Sequence, residues 1–178
     1  LTQLNQAGAL VHVYNDGSVR INHGGTEMGQ GLFQKVAQVA ARIFGIPIKK
    51  VQITATDTAK VPNTSATAAS SGSDLNGMAV KEACDIICAR ISSYFIEKYR
   101  PNTNDVKFED GRVRGSNFDI SFEDAVYEIY TQRISLSSTG FYKTPDLQWD
   151  RIKGKGRPFY YFAYGAAVSE VCLLYTSD

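Results

Sequence analysis

Apolar and polar residues alternate from Ala9 to Tyr14 and again from Ser18 to Asn22, with Asn15-Asp16-Gly17 between them, a pattern that predicts a β-hairpin. The period then changes. Leu32, Val36, Val39, Ala40, Ile43 and Phe44 fall on one helical face, and Gly45 followed by Pro47 supplies a stop, so a helix is predicted over about 31–44. Val51 to Thr54 alternates as a short strand, while the stretch on to Ser70 is rich in Thr, Asn, Ser and Ala and has neither period. That stretch is predicted to be a loop over the surface or lining a cleft. Val80, Cys84, Ile87, Ile91 and Phe95 share the next helical face, which predicts a long amphipathic helix packed on the sheet and ending before Pro101.

Beyond it, Val106–Phe108 and Arg112–Arg114 flank Glu109-Asp110-Gly111 and read as a second hairpin. Ser121 is placed to cap a short helix over 122–130, with Glu123 and Asp124 in the first turn, where the helix dipole favours negative charge. The region 134–142 reads as extended, 151–158 as a basic Gly-rich loop, and 160–171 as another strand. The aromatic run Phe159-Tyr160-Tyr161-Phe162 is expected to be core, since aromatic-rich strands usually pack. Without internal repeats, the elements give one α+β unit, a mixed sheet covered by two main helices.

Composition narrows the function classes. The chain has 178 residues, 43% hydrophobic and 21% charged, which is ordinary for a globular domain with a core. A formal charge of +1, with no cluster of basic residues interleaved with aromatics, excludes the electrostatic footprint of a nucleic-acid binder. No apolar stretch is long enough to span a bilayer. Leu1-Thr2-Gln3-Leu4 carries neither an initiator Met nor a signal-peptide pattern, so the start reads as internal to a longer chain. Three irregularly spaced cysteines argue against a disulfide framework and favour a reducing compartment, with the cytoplasm expected. Cys84 and Cys88 share a helix face, yet no further Cys or His accompanies them, so they are read as core thiols and no metal ligand is assigned.

The candidate chemistry lies in two runs. His23-Gly24-Gly25-Thr26-Glu27-Met28-Gly29-Gln30-Gly31 precedes the first helix, and 62–74, from Pro62 through Ser70-Ser71-Gly72-Ser73-Asp74, precedes the second. A Gly- or Ser-rich loop at a helix start presents free N–H groups at the positive end of the helix dipole, a setting for phosphate or another electron-rich ligand. Two such loops could grip one ligand from two sides. The amide of Gln30 offers donors and an acceptor suited to a heterocycle edge, or it is simply satisfied by its own loop. Glu27 is read as an acceptor for loop N–H groups and not as a general base. His12 is read as a surface residue, and His23 as orienting its loop by a hydrogen bond. Ser70 to Ser73 could equally be a plain helix cap, and Ala68 and Ala69 are small where a bulky side chain would block close approach.

Three ordered strings carry a family resemblance: Gly24 to Leu32 (G-G-T-E-M-G-Q-G-L), Pro62 to Ser70 (P-N-T-S-x-T-A-A-S) and Thr139 to Pro145 (T-G-F-Y-x-T-P). Over about residues 4–171 the chain resembles the molybdenum-binding subunit of xanthine dehydrogenase, in the xanthine oxidase and aldehyde oxidase family. The third string leans toward the xanthine dehydrogenase branch. The resemblance implies that 1–171 are part of a molybdopterin-binding domain, with 172–178 an atypical tail and a truncation scar. It assigns cofactor contacts to Gly29, Gln30, Ala69, Ser70, Ser71 and Gly72, and a substrate-pocket position to Ala68 and Ala69. Gly72 stands where the family commonly has Ser, so a backbone contact is expected there.

The resemblance further implies oxidation of hypoxanthine or xanthine with oxygen from water. Molybdopterin with molybdenum is the cofactor, and two [2Fe–2S] clusters and FAD, held by other domains or subunits of a homo-oligomeric enzyme, carry electrons away. The family's catalytic glutamate lies in a motif downstream of residue 178, so no residue here inherits a catalytic role and the segment alone is expected to be inactive. The alternative is a non-catalytic molybdopterin-binding or carrier module.

Overall fold

The computed structural model describes residues 2–60, 62–68, 70–103, 105–162 and 164–175. The first hairpin forms as its alternation requires, with β1 (Gln6–Val13) antiparallel to β2 (Val19–His23). Ala7, Ala9, Val11 and Val13 of β1 and Val19 and Ile21 of β2 turn into the core. β3 (Val51–Ile53) runs parallel to β2, and β7 (Ser137–Lys143) runs antiparallel to β1, which makes a mixed four-stranded sheet of order β3-β2-β1-β7.

Two helices cover one face of this sheet. α1 (Leu32–Phe44) starts where the period begins, one residue after the predicted start, and stops before Gly45, which takes the left-handed conformation of a helix stop. α2 (Gly72–Tyr99) buries Leu75, Ala79, Val80, Ala83, Cys84, Ile87, Ile91 and Phe95. It lies across β7 and β1 and alongside α1. Its seat depends on a missing side chain: a Cβ at Gly140 on β7 would run into the Ala79 carbonyl oxygen and sit 2.7 Å from the Ala83 nitrogen. Glu82 and Arg90 of α2 fix the same contact from outside. A Glu82 oxygen accepts the Phe141 N–H at 2.9 Å, and Arg90 donates to the Ser135 and Ser137 carbonyls at 3.2 and 2.8 Å.

A second sheet, β4 (Lys107–Glu109), β5 (Arg112–Gly115) and β6 (Phe118–Ser121), carries α3 (Phe122–Thr131). The Ser121 hydroxyl accepts the Asp124 N–H at 3.1 Å, as the sequence predicts for its cap. Phe44 against Phe122 and Phe95 against Phe118, both with centroids 5.6 Å apart, join the two sheets into one core. Cys84 belongs to that core and Cys88 packs against it, which is the reading given to them. Among the described residues, no group of three or more His, Cys, Asp and Glu is placed to hold a metal ion. No helix is long and apolar enough to cross a membrane.

Three expectations require correction. β6 forms where no strand was expected, because Arg112 and Arg114 reach Asp119 across the β5–β6 pair and favour a third strand after Gly115. The basic loop over 151–158 is largely the turn and return strand of a small hairpin, β8 (Gln148–Asp150) with β9 (Lys155–Arg157), closed by Asp150 Oδ1 accepting the Ile152 and Lys153 N–H groups. The strand expected over 160–171 is absent among the described residues of that span, and Phe159, Tyr160, Tyr161 and Phe162 are exposed. Their aromatic alternation has no sheet edge to join within the described residues, so it buries nothing.

Overpacking of a close backbone contact costs about 1–3 kcal/mol. Gly140→Ala is therefore expected to lower unfolding stability by roughly 2–3 kcal/mol. Urea denaturation measures this, and an unchanged midpoint would contradict the seat proposed for α2.

Candidate functional site

The two Gly- and Ser-rich loops do lead into helices, and they lie against each other. The Thr26 N–H donates to Thr67 Oγ1 at 2.9 Å, and a Cβ at Gly24 would collide with the Thr64 methyl. The second loop is also stitched to the start of β1. The Gln6 N–H donates to Ser65 Oγ at 2.9 Å, and the Ser65 N–H and Thr64 hydroxyl both donate to the Gln6 carbonyl at 3.0 Å.

The helix starts differ in what occupies them. At α1, Glu27 Oε1 accepts the Gly29 and Gly31 N–H groups at 2.8 and 3.1 Å, and Oε2 accepts that of Phe33 at 3.0 Å. The Phe33 N–H above all, helped by the others, holds the Glu27 carboxyl below the usual range. Gln30 is likewise turned inward, its Oε1 accepting from the Met28 N–H at 2.6 Å and its Nε2 donating to the Thr26 carbonyl at 2.8 Å. Glu27 thus does what was expected of it. The expectation of free N–H groups at this loop is corrected, because a carboxylate from the same loop already sits at the positive end of the dipole.

At α2 no side chain caps the helix. Ser71 takes the N-cap position, but its hydroxyl donates to the Ala68 carbonyl at 3.2 Å, so the plain-cap reading of Ser70 to Ser73 is not realised. This start opens on a cavity of about 690 Å³. Ala68, Ser70, Ser71 and Asp74 line it on one side, the start of β1 on another, and Phe159, Tyr160 and Tyr161 on a third. The aromatics misread as core are thus walls of the cavity, a role that their alternation did not signal. Asp74 Oδ1 and Thr144 Oγ1 are buried there without a hydrogen-bond partner among the described residues. Burial first, then the Asp74 charge, raises the Tyr161 hydroxyl above its usual pKa.

Of the residues assigned to the site, Ala68, Ser70 and Ser71 share this cavity. Gly72 lies just inside, over the Leu32 side chain, and Ala69 lies outside the described residues. Gly29 and Gln30 sit on the neighbouring loop and do not line the cavity, although Gly29 faces open space.

Beneath both loops lies His23, 1% exposed, at the end of β2. Its Nδ1 accepts the Gly25 N–H at 3.1 Å, which is the loop-orienting bond expected of it and places the proton of the neutral ring on Nε2. Phe33 meets the ring edge-on at 5.3 Å. Burial depresses the imidazole pKa from 6.5 to about 4, and the Asn76 side chain opposes that shift.

The chain matches the model of the molybdopterin cofactor-binding domain family over residues 1–173. It belongs to that family. It is 50% identical over 168 residues to the xanthine dehydrogenase/oxidase of Gallus gallus, covering 94% of this chain and 11% of that protein. Identity to the xanthine dehydrogenase of Oryza sativa subsp. japonica is 51%, with the same coverage. The chain therefore spans about a tenth of the length of these relatives. Among solved structures, quinoline 2-oxidoreductase from Pseudomonas putida 86 shares the fold, with a TM-score of 0.71 and 23% identity over 78% of this chain and 19% of that one. Aldehyde oxidoreductase from Desulfovibrio gigas does so at a TM-score of 0.61 and 20% identity, over 86% of this chain and 15% of that one. The cofactor of this molybdopterin-binding family is molybdopterin, which agrees with the resemblance drawn from the three strings.

His23 makes the fold acid-sensitive. Its folded-state pKa lies below the unfolded value, so its contribution is fully present above pH 6.5 and is lost as pH falls toward about 4. The loss is expected to be on the order of 3 kcal/mol. His23→Asn retains an acceptor for Gly25 without titrating. Its urea midpoint is expected to fall less than that of the wild type over this window, and parallel profiles would contradict the assignment.

Proposed function

We propose that these residues form one wall of the molybdopterin site of a molybdenum hydroxylase of the xanthine dehydrogenase type. The observation that carries the reading is the uncapped start of the 28-residue helix α2, which opens through Ser70 and Ser71 onto a cavity of ligand size. The lining fits a heteroatom-rich cofactor: main-chain N–H groups of the first turn and the Ser70 hydroxyl donate, the Ser71 hydroxyl does so once it leaves the Ala68 carbonyl, the Asp74 carboxylate accepts from ring N–H groups, and at Gly72 no side chain stands in the way. Gly29 and Gln30 fit as contacts from the adjoining loop. For Gln30 to read a heterocycle edge, its amide exchanges its bonds to Thr26 and Met28 for bonds to the ligand.

Bound molybdopterin supplies the redox chemistry; the chain supplies binding, orientation and exclusion of water. Ala68 borders the cavity without filling it, which fits a substrate-pocket wall, and Ala69 is assigned beside it. In the complete protein, hypoxanthine or xanthine is oxidised with oxygen from water, and electrons pass to iron–sulfur and FAD domains. The complete enzyme is a cytoplasmic homo-oligomer. Identity of about 50% to two xanthine dehydrogenases supports this reading over a carrier module.

The test is molybdenum and pterin content in the full-length protein. Wild type is expected to hold both, and Ser70→Ala and Gln30→Ala to reduce occupancy about fivefold, the worth of one hydrogen bond of about 1 kcal/mol. Ala68→Phe is expected to keep the cofactor and to lose at least about tenfold in kcat/KM. Unchanged occupancy in both polar variants would overturn the reading. The 178 residues alone are expected to show no purine hydroxylation, and turnover by them would contradict the placement of the catalytic base elsewhere.

A further inference from the structure

We propose that His23 and Asn76 are positioning residues, a buried polar clasp that sets the spacing between the two cofactor loops. Each acts from beneath. His23 ends β2 and opens the first loop, and Asn76 lies in the second turn of α2, directly after the second loop. They are the two buried polar or charged residues among those described, at 1% and 3% exposure. Buried polar groups are retained at a cost of roughly 1–3 kcal/mol if left unpaired, so a pair lodged between two ligand loops calls for a role.

The contacts define that role. His23 Nδ1 holds the Gly25 N–H, which fixes the first loop to β2. Asn76 Nδ2 donates to the Gly72 carbonyl at 2.8 Å, which fixes the side chain to the first turn of α2 and orients its oxygen. The two then meet across Gly25, where a Cβ would lie 2.6 Å from Asn76 Nδ2 and 2.6 Å from Leu32 Cδ2. His23 Nε2, the remaining donor, and Asn76 Oδ1, the remaining acceptor, are both buried and are a complementary pair. Neither closes a bond of good geometry with another described group, and the Asn76 side chain is near enough to the imidazole to offset part of the depression that burial causes. From above, the Thr56 hydroxyl ties down the Gly25 carbonyl at 3.1 Å. The first loop is therefore registered to α2 through His23, Gly25 and Asn76, and with it Gln30 is registered to Ser70.

This inference rests on the two loops being the cofactor grip, and the experiment separates the two claims. In the full-length protein, molybdenum and pterin content and thermal unfolding are measured for wild type, His23→Phe, Asn76→Leu and His23→Asn. His23→Phe keeps a planar ring and Asn76→Leu a branch at Cγ while removing the polar atoms, and both are expected to lose at least about fivefold in occupancy, while His23→Asn, whose Oδ1 can accept from Gly25, recovers most of it. Full occupancy in folded His23→Phe and Asn76→Leu overturns the clasp and leaves the cofactor reading standing. An empty wild type overturns the cofactor reading itself. Histidine C2-hydrogen exchange in the wild type covers the case in which the variants do not fold: a midpoint near 4 and slow exchange support the buried clasp, and an ordinary midpoint near 6.5 overturns it.

Discussion

Everything that concerns the site follows from how closely α2 approaches the sheet. Gly140 on β7, with Ala79 and Ala83 on the helix, removes the side chains that would hold helix and sheet apart, and Glu82 and Arg90 tie the outer side of the contact to β7. A helix lowered onto the sheet at this point has its N-terminus beside the end of β2. There Asn76 reaches Gly25 and His23, and Ser70 and Ser71 open onto the cavity.

The two helix starts show how similar loops acquire different electrostatics. The first carries its own carboxylate: Glu27 collects three main-chain N–H groups and neutralises the positive end of α1. At α2 no side chain accepts the first N–H groups and the Ser71 hydroxyl is spent on Ala68, while Asp74 in the first turn shares the cavity with the open helix start. The first main-chain donors of α2 are thus left without a side-chain cap, while the first loop is internally satisfied and its Gln30 and Gly29 stand at the edge. The buried polar groups beneath, His23 and Asn76, serve geometry and not charge, since the imidazole is neutral at ordinary pH.

Where local periodicity and burial agree, the sequence is a sufficient guide. The β1–β2 hairpin, α1, α2, the second hairpin and the Ser121 cap all form at or near their expected places, because each buries its own apolar stripe or satisfies its own end. The family and its cofactor were likewise legible, because Gly24–Leu32, Pro62–Ser70 and Thr139–Pro145 are long, ordered strings. What could not be read depends on partners distant in sequence. β6 is held by Arg112 and Arg114 reaching Asp119, and Phe159, Tyr160 and Tyr161 belong to an aromatic run yet line a cavity. Nothing local tells Asn76 that it will meet His23, fifty-three residues earlier, across a glycine. That glycine, Gly25, carried a signal in retrospect: a pair of glycines following a buried histidine marks a place where another side chain must pass close by.

The proposed cofactor grip lies between the open start of α2 and the neighbouring first loop. A structure of the complete protein as purified, with the metal located by its anomalous scattering at the molybdenum edge, tests it most directly. A molybdenum peak is expected in the space bordered by Ala68, Ser70 and Ser71, with pterin density extending toward Gly29 and Gln30. A metal peak remote from both loops, or one enclosed entirely by residues outside this chain, would contradict it.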